Sequence, residues 1–251
     1  EQFGTLASLF PGRIDLGVGR APGGDQRTTR ALRRYIEEVD AFPRDVQELQ
    51  SYFQPASPGR FVHAVPGEGL DVPIWILGSS DFGARLAAQM SLPYAFASRF
   101  APDHLFDAVA AYRESFIPSE ALAEPKVMIG VNAFLADSDA EAVRLFSSHR
   151  QAIVNLVRGR PGLLAPPVDD VDARWTPAER AAVERMTRVS LVGSPTTVLG
   201  PLRSLVSAVQ PDEIIFCGHI FDHAARLHSY DLLMQARRSA IETPAASVAS
   251  P

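Results

Sequence analysis

The stretch IWILGSSDFGARLAAQ, residues 74 to 89, runs from four apolar residues straight into Gly-Ser-Ser-Asp and then into a helical pattern of small residues. A continuous apolar run of this length reads as a strand buried on both faces, which is the habit of parallel sheets. A parallel strand needs a crossover before its neighbour, and a helix beginning at once supplies it. The join has two readings. Ser80 or Asp81 caps the helix, or the turn cradles a phosphate. Unpaired N–H groups and a partial positive charge mark a helix start. Gly78 would let a ligand close to the backbone, Ser79 and Ser80 would offer hydroxyls, and Gly83 would keep the first turn uncrowded.

The same rhythm extends in both directions. Apolar runs at 13–19 (RIDLGVG), 94–98 (YAFAS), 126–135 (KVMIGVNAFL) and 213–220 (EIIFCGHI) read as further strands. Helical patterns separate them, including 27–53 with a break near Pro43 and a long one opening at Asp139. Ser138 with Glu141 and Thr176 with Glu179 have capping-box spacing, and Ser194-Pro195 reads as another helix start. Strands alternating with helices predict an α/β fold built of βα units. Two Gly/Pro-rich segments interrupt it. Residues 54–72 are expected to hold a small strand at RFVHAV. Residues 159–176 are a candidate lid, with a packing insertion or a dimer contact as the alternative. The opening EQFGTLASLF lacks Met and reads as the middle of an amphipathic helix, so the true N-terminus is expected upstream.

Composition excludes several classes. The 251 residues are 46% hydrophobic and 21% charged, enough for a sizeable core, with a net charge of −5. No basic stripe suggests nucleic acid, and no apolar run is long enough for a membrane helix. A single cysteine, Cys217, rules out a disulfide framework and reads as a small strand hydrophobe. Lys126 is the one lysine.

Two other stretches carry possible chemistry. In PGRIDLGVGRAPGGDQR (11–27), Gly17 and Gly19 match only part of a dinucleotide fingerprint. Arg20 follows a strand end, where barrel sites lie, and could take a phosphate bidentately or answer a nearby acid. In GHIFDHAARLHSYDLL (218–233), His219 and His223 are four apart, but His219 belongs to the strand end and no third ligand has suitable spacing, so no metal site is expected. Asp222 reads as the last helix's cap. Asp169-Asp170-x-Asp172 lacks the glycine and closing glutamate of a calcium loop.

Together EQFGTLASLFPGRIDLGVGRAPG, VPGEGLDVPIWILGSSDFGARLAAQMSLPYAFAS, VGSPTTVLGPLRSL and IFDHAARLHSYDLL resemble the bacterial luciferase-like flavin monooxygenase family, in its single-chain, alkanal-monooxygenase-like branch. The resemblance implies a TIM (β/α)8-type barrel. Residues 1–238 would carry strands 4 to 8, N-terminally incomplete, with an insertion before the last strand. Residues 239–251 would form a disordered tail. It implies reduced FMN and dioxygen acting on a small, aldehyde-like substrate. The cofactor contacts would be Gly19, Arg20, Gly78, Ser79, Ser80 and Gly83. Gly19 falls where the luciferase catalytic subunit has a cysteine, and Ser79 where luciferase has a carboxylate. A separate flavin reductase, a homodimer and a cytoplasmic location follow from the same resemblance. No residue is assigned as catalytic acid or base. The alternatives are a deazaflavin (F420)-dependent oxidoreductase of the same fold and a non-catalytic flavin-binding barrel. A Schiff-base aldolase is disfavoured because Lys126 starts a strand.

Overall fold

The computed structural model describes residues 1–20, 28, 31 and 41–242, in two compact units. Unit 1 comprises residues 1–96 and 107–127; unit 2 comprises 97–106 and 128 onward. Unit 1 holds α1 (Gln2–Leu9), β1 (Leu16–Gly19), α2 (Phe42–Phe53), β2 (Ile74–Gly78), α3 (Asp81–Gln89), β3 (Tyr94–Phe96) and most of α4 (Leu105–Ser115). β2 pairs in parallel with β1, Gly19 standing opposite Leu77, and with β3, Gly78 standing opposite Phe96. Ala84, Leu86, Ala87 and Ala88 are buried on α3. The small side chains of the three alanines let the helix lie close against β2, as a crossover helix must. Tyr94 and Tyr112 fill the space beneath with rings 5.5 Å apart. The Tyr112 hydroxyl donates to the Leu92 carbonyl and accepts the Lys126 N–H, so no polar atom is stranded there. Trp75 is buried, its indole N–H donating to Asp15 at 3.2 Å, and the Lys126 ammonium lies 5.0 Å from its ring centroid.

Unit 2 is organised by the nine-residue β4 (Val127–Leu135), all but one of whose residues are buried. It is followed by α5 (Asp139–Val157), α6 (Pro177–Met186), β5 (Leu191–Gly193), α7 (Pro195–Val209), β6 (Glu213–Cys217) and α8 (His223–Glu242). β6 along Met128–Asn132 and β5 along Ala133–Leu135 each pair with β4 in parallel. Phe134 packs with Ala142, Leu145 and Ile220, while Trp175 packs with Ile153, Val154, Val171 and Val183. Three helix starts are held by the capping residues their sequences predict. Ser138 accepts the Glu141 N–H, Thr176 and Glu179 form a reciprocal capping box, and Asp222 accepts the Ala225 N–H at the start of α8.

The structure corrects several expectations. RFVHAV is not a strand; Phe61 is 98% exposed in an irregular loop. β5 was not foreseen, because three residues of SLVG carry too little pattern. The Ser194 hydroxyl does not cap α7; its N–H is instead accepted by Asp139. The candidate lid is tied down in its second half, favouring the packing alternative. Val168 N–H donates to Ser147, Arg150 grips Asp172 at 2.5 Å, and Trp175 is buried. Cys217 is half-buried rather than fully enclosed and accepts from Arg99 at 3.1 Å. Of the helix expected over 27–53, residues 42–53 are α2, with Pro43 in its first turn; most of the remainder lies outside the described residues. α8 runs to Glu242, and 243–251 lie outside the described residues.

Candidate active site

The β2–α3 turn has the shape the sequence calls for. Gly78 and Gly83 face each other so closely that a Cβ on Gly78 would stand 3.1 Å from the Tyr94 ring and 3.4 Å from the Gly83 Cα. A Cβ on Gly83 would stand 3.3 Å from the Gly78 Cα. Two glycines are therefore a packing need, which holds the backbone of the turn against the Tyr94 ring. The Tyr94 hydroxyl donates to the Ser80 carbonyl at 3.2 Å and braces the turn from below. Burial raises the Tyr94 pKa above its ordinary value, and the nearby Asp81 adds to it, so this hydroxyl keeps its proton.

Ser79 and Ser80 are exposed, and no side chain caps α3 at Ser80. The Asp81 carboxylate turns along the helix to Arg85 at 2.7 Å instead of folding back over the N-terminus. The simple-cap reading thus loses its hydrogen bond. A second strand–helix turn, between β5 and α7, makes the contrast. There a carboxylate from α5, Asp139, accepts the Ser194 N–H at 2.6 Å and the Thr197 hydroxyl at 2.9 Å. Those bonds, the Ser194 N–H first and then the Thr197 hydroxyl, hold the Asp139 carboxyl below its usual range. One turn is filled by an internal anion. The other, among the described residues, keeps its serine hydroxyls and helix start free of a capping side chain.

Arg20 joins this open turn. The β1–β2 register sets Gly19 against Leu77, so Arg20 leaves the sheet beside Gly78. Its guanidinium lies 3.8 Å from the centroid of Phe82, in the first turn of α3. The structure thus brings Gly19, Arg20, Gly78, Ser79, Ser80 and Gly83 into one neighbourhood of unit 1, at the carboxyl ends of its strands.

Unit 2 contributes a cluster that the sequence reading missed. His149 of α5 stacks on His219, just past β6, with ring centroids 5.0 Å apart and planes 9° from parallel. Burial, then His219 and Arg99, lowers the His149 pKa to about 4. Burial, then Arg99 and Arg226, lowers that of His219. Asn132, 1% exposed on β4, sits with its amide nitrogen 3.4 Å from His149 Nε2 and its Oδ1 without a partner. The available signal was Asn132 itself, a lone amide inside the apolar run VMIGVNAFL. These residues border a cavity of about 160 Å³. A larger space of about 530 Å³ in unit 1 is bordered by Asp15, Pro73 and Pro93. These residues precede β1, β2 and β3, so it lies at the amino ends of the strands, opposite the end where barrel enzymes bind ligands.

Comparison with known proteins agrees with this architecture. The family model for luciferase-like monooxygenase matches residues 1–209. A luciferase-like monooxygenase of Escherichia coli (strain K12) is 50% identical over 238 residues, spanning 94% of this chain and 71% of the relative. The crystal structure of apo-MsnO8 superposes with a TM-score of 0.78 at 31% identity, covering 94% of this chain and 72% of that one. The oxygenating constituent of 3,6-diketocamphane monooxygenase from Pseudomonas putida, solved in complex with FMN, superposes with a TM-score of 0.62. It is 20% identical, over 92% of this chain and 72% of that one, and speaks for the fold alone. The parallel strands alternating with helices are those of the same TIM-type α/β barrel, and the chain belongs to the luciferase-like monooxygenase family of enzymes.

Proposed function

We propose that this chain is a flavin-dependent monooxygenase. It would hold FMN by its phosphate at the β2–α3 turn and oxidise a small, aldehyde-like organic substrate with dioxygen. The observation that carries the reading is the contrast between the two strand–helix turns. The α7 turn has Asp139 in the anion position, while the α3 turn has two exposed serines, a helix start without a side-chain cap and Arg20 alongside. These groups fit a phosphate dianion: N–H and hydroxyl donors for its oxygens, and a guanidinium fork for its charge.

In its reduced form the flavin supplies the two electrons that let one oxygen atom of dioxygen enter the substrate while the other leaves as water. The residues here do the work around it. Arg20, Ser79 and Ser80 anchor the phosphate. Gly78 and Gly83 hold the turn close. Gly19 leaves the strand end without a side chain beside the anchor. No described residue is assigned as acid or base. Because the cofactor must be reduced elsewhere, a separate flavin reductase is part of the proposal, as is a homodimer.

The test is a titration of the purified chain with oxidised and then anaerobically reduced FMN, with Arg20→Ala in parallel. Saturable binding that the substitution weakens tenfold or more, with oxygen consumption on adding an aldehyde, supports the reading. Binding of deazaflavin F420 in place of FMN moves it to hydride transfer. Absence of flavin binding in a chain that melts cooperatively sinks it.

A further inference from the structure

The cavity of unit 2 has two kinds of wall. Phe100, Ala152, Ile153, Leu156 and Met186 form an apolar side, and Arg99, Asn132, His149 and His219 form a polar one. Among the described residues no acidic one lines it. We infer that this cavity recognises the substrate and that the substrate carries a carboxylate on a small apolar body, Arg99 binding the carboxylate and Asn132 the same head group. This deepens the monooxygenase reading of the fold and rests on it.

Arg99 supplies the first argument. It is half-buried, and its Nη1 donates only to the Cys217 sulfur, a weak acceptor. Its guanidinium lies 4.5 Å from the Phe100 ring centroid. Among the described residues no carboxylate forms an ion pair with it. A guanidinium in this setting keeps a planar fork of donors free, and that fork matches a carboxylate edge.

Asn132 supplies the second. Buried amides are hydrogen-bonded as a rule, and this one, nine-tenths buried and more, lines the cavity with one end unmet. Turning the amide about its last bond exchanges its oxygen and nitrogen without changing its shape. His149, protonated on Nε2, then donates to Oδ1, and the NH₂ group takes the buried place of the unmet oxygen at the cavity wall.

Size sets the body. A dry apolar cavity of about 150 Å³ holds benzene, so about 160 Å³ suits an aryl ring or a short branched chain. The histidines set the pH dependence. The groups acting on the stacked pair are Arg99 on both rings and Arg226 on His219, with Asn132, Phe134 and Phe146 against His149. Burial opposes protonation of both rings first, and the two cations add to it. An anion beside Arg99 offsets that field, so binding is accompanied by proton uptake and strengthens as pH falls.

The test is calorimetric titration of the full chain with benzoate and with its neutral isostere benzamide, at pH 7 and pH 5.5. FMN affinity is measured on the same sample. The expected result is saturable benzoate binding, at least tenfold tighter than benzamide and tighter still at pH 5.5. Arg99→Gln should weaken benzoate tenfold or more with FMN affinity and melting temperature unchanged. If that variant does not melt cooperatively, Arg99→Lys keeps the charge, loses the fork and should weaken benzoate several-fold. Equal binding of benzamide, indifference to both substitutions, or no benzoate binding by a chain that binds FMN overturns the inference. Benzoate binding as described by a chain that does not bind FMN upholds it and overturns the flavin reading instead.

Discussion

Gly78 is where packing and chemistry meet at a single Cα. Its lost Cβ lets the Tyr94 ring rise under the turn, and the Tyr94 hydroxyl in turn fixes the Ser80 carbonyl. Gly78→Ala puts a methyl group 3.1 Å from that ring, backed by the Gly83 backbone at 3.4 Å. Neither neighbour is the loose end of a flexible side chain. Overpacking of this kind costs about 1–3 kcal/mol, so the variant should show that loss in chemical denaturation, together with weakened FMN binding. A variant of unchanged stability would mean that the two glycines are not needed for packing. The turn was legible in the sequence because its residues are neighbours: Gly78, Ser79, Ser80 and Gly83 lie within six positions. Arg99, Asn132, His149 and His219 were not, because only the fold brings together residues spread over 120 positions.

Among the elements, legibility followed burial. β2 and β4 announce themselves because both faces are covered and nearly every residue is apolar. β5 borrows its place from the register with Ala133–Leu135 and has no pattern of its own. RFVHAV failed in the other direction. It has strand-like residues but no partner, and composition does not reveal whether a neighbour exists. Helix starts were read more securely, since a cap needs only residues three apart. The α6 box illustrates what such a start contributes. Thr176→Ala should cost about 1 kcal/mol, measured by denaturation at pH 7. Arg158 first, and the Thr176 N–H after it, hold the Glu179 carboxyl at about 2, below the usual 4.5. A carboxylate with a lowered folded pKa stabilises above its unfolded value and loses that effect as pH falls. Thr176→Ala keeps the Arg158 pair and the Thr176 N–H, so both proteins should lose stability from pH 5 toward pH 2 with the gap between them nearly constant. A gap that closes over that range would assign the cost to the Glu179 charge rather than to the lost hydroxyl cap.

For the whole molecule, two chain segments tie the units' fates together. α4 begins in one unit and ends in the other, and β4 has its first residue in one and the rest in the other. Neither unit can unfold completely without breaking a helix or a strand in its course. The two tryptophans report the units separately, Trp75 in unit 1 and Trp175 in unit 2, both buried. Trp75→Phe and Trp175→Phe each leave one reporter, and the two urea transitions should coincide in midpoint. Separated midpoints would mean that the units unfold independently.

The sole lysine offers one more consequence. Lys126 holds its ammonium 5.0 Å from the Trp75 ring centroid. Amine-selective dyes therefore find one side-chain target, and it is adjacent to an indole. A single acylation there removes the cation from the ring and installs an energy acceptor in contact range of the donor. The unmodified protein thus carries a built-in address for a one-dye, one-distance spectroscopic ruler, placed at the amino end of β4 and away from the turn proposed to hold the flavin.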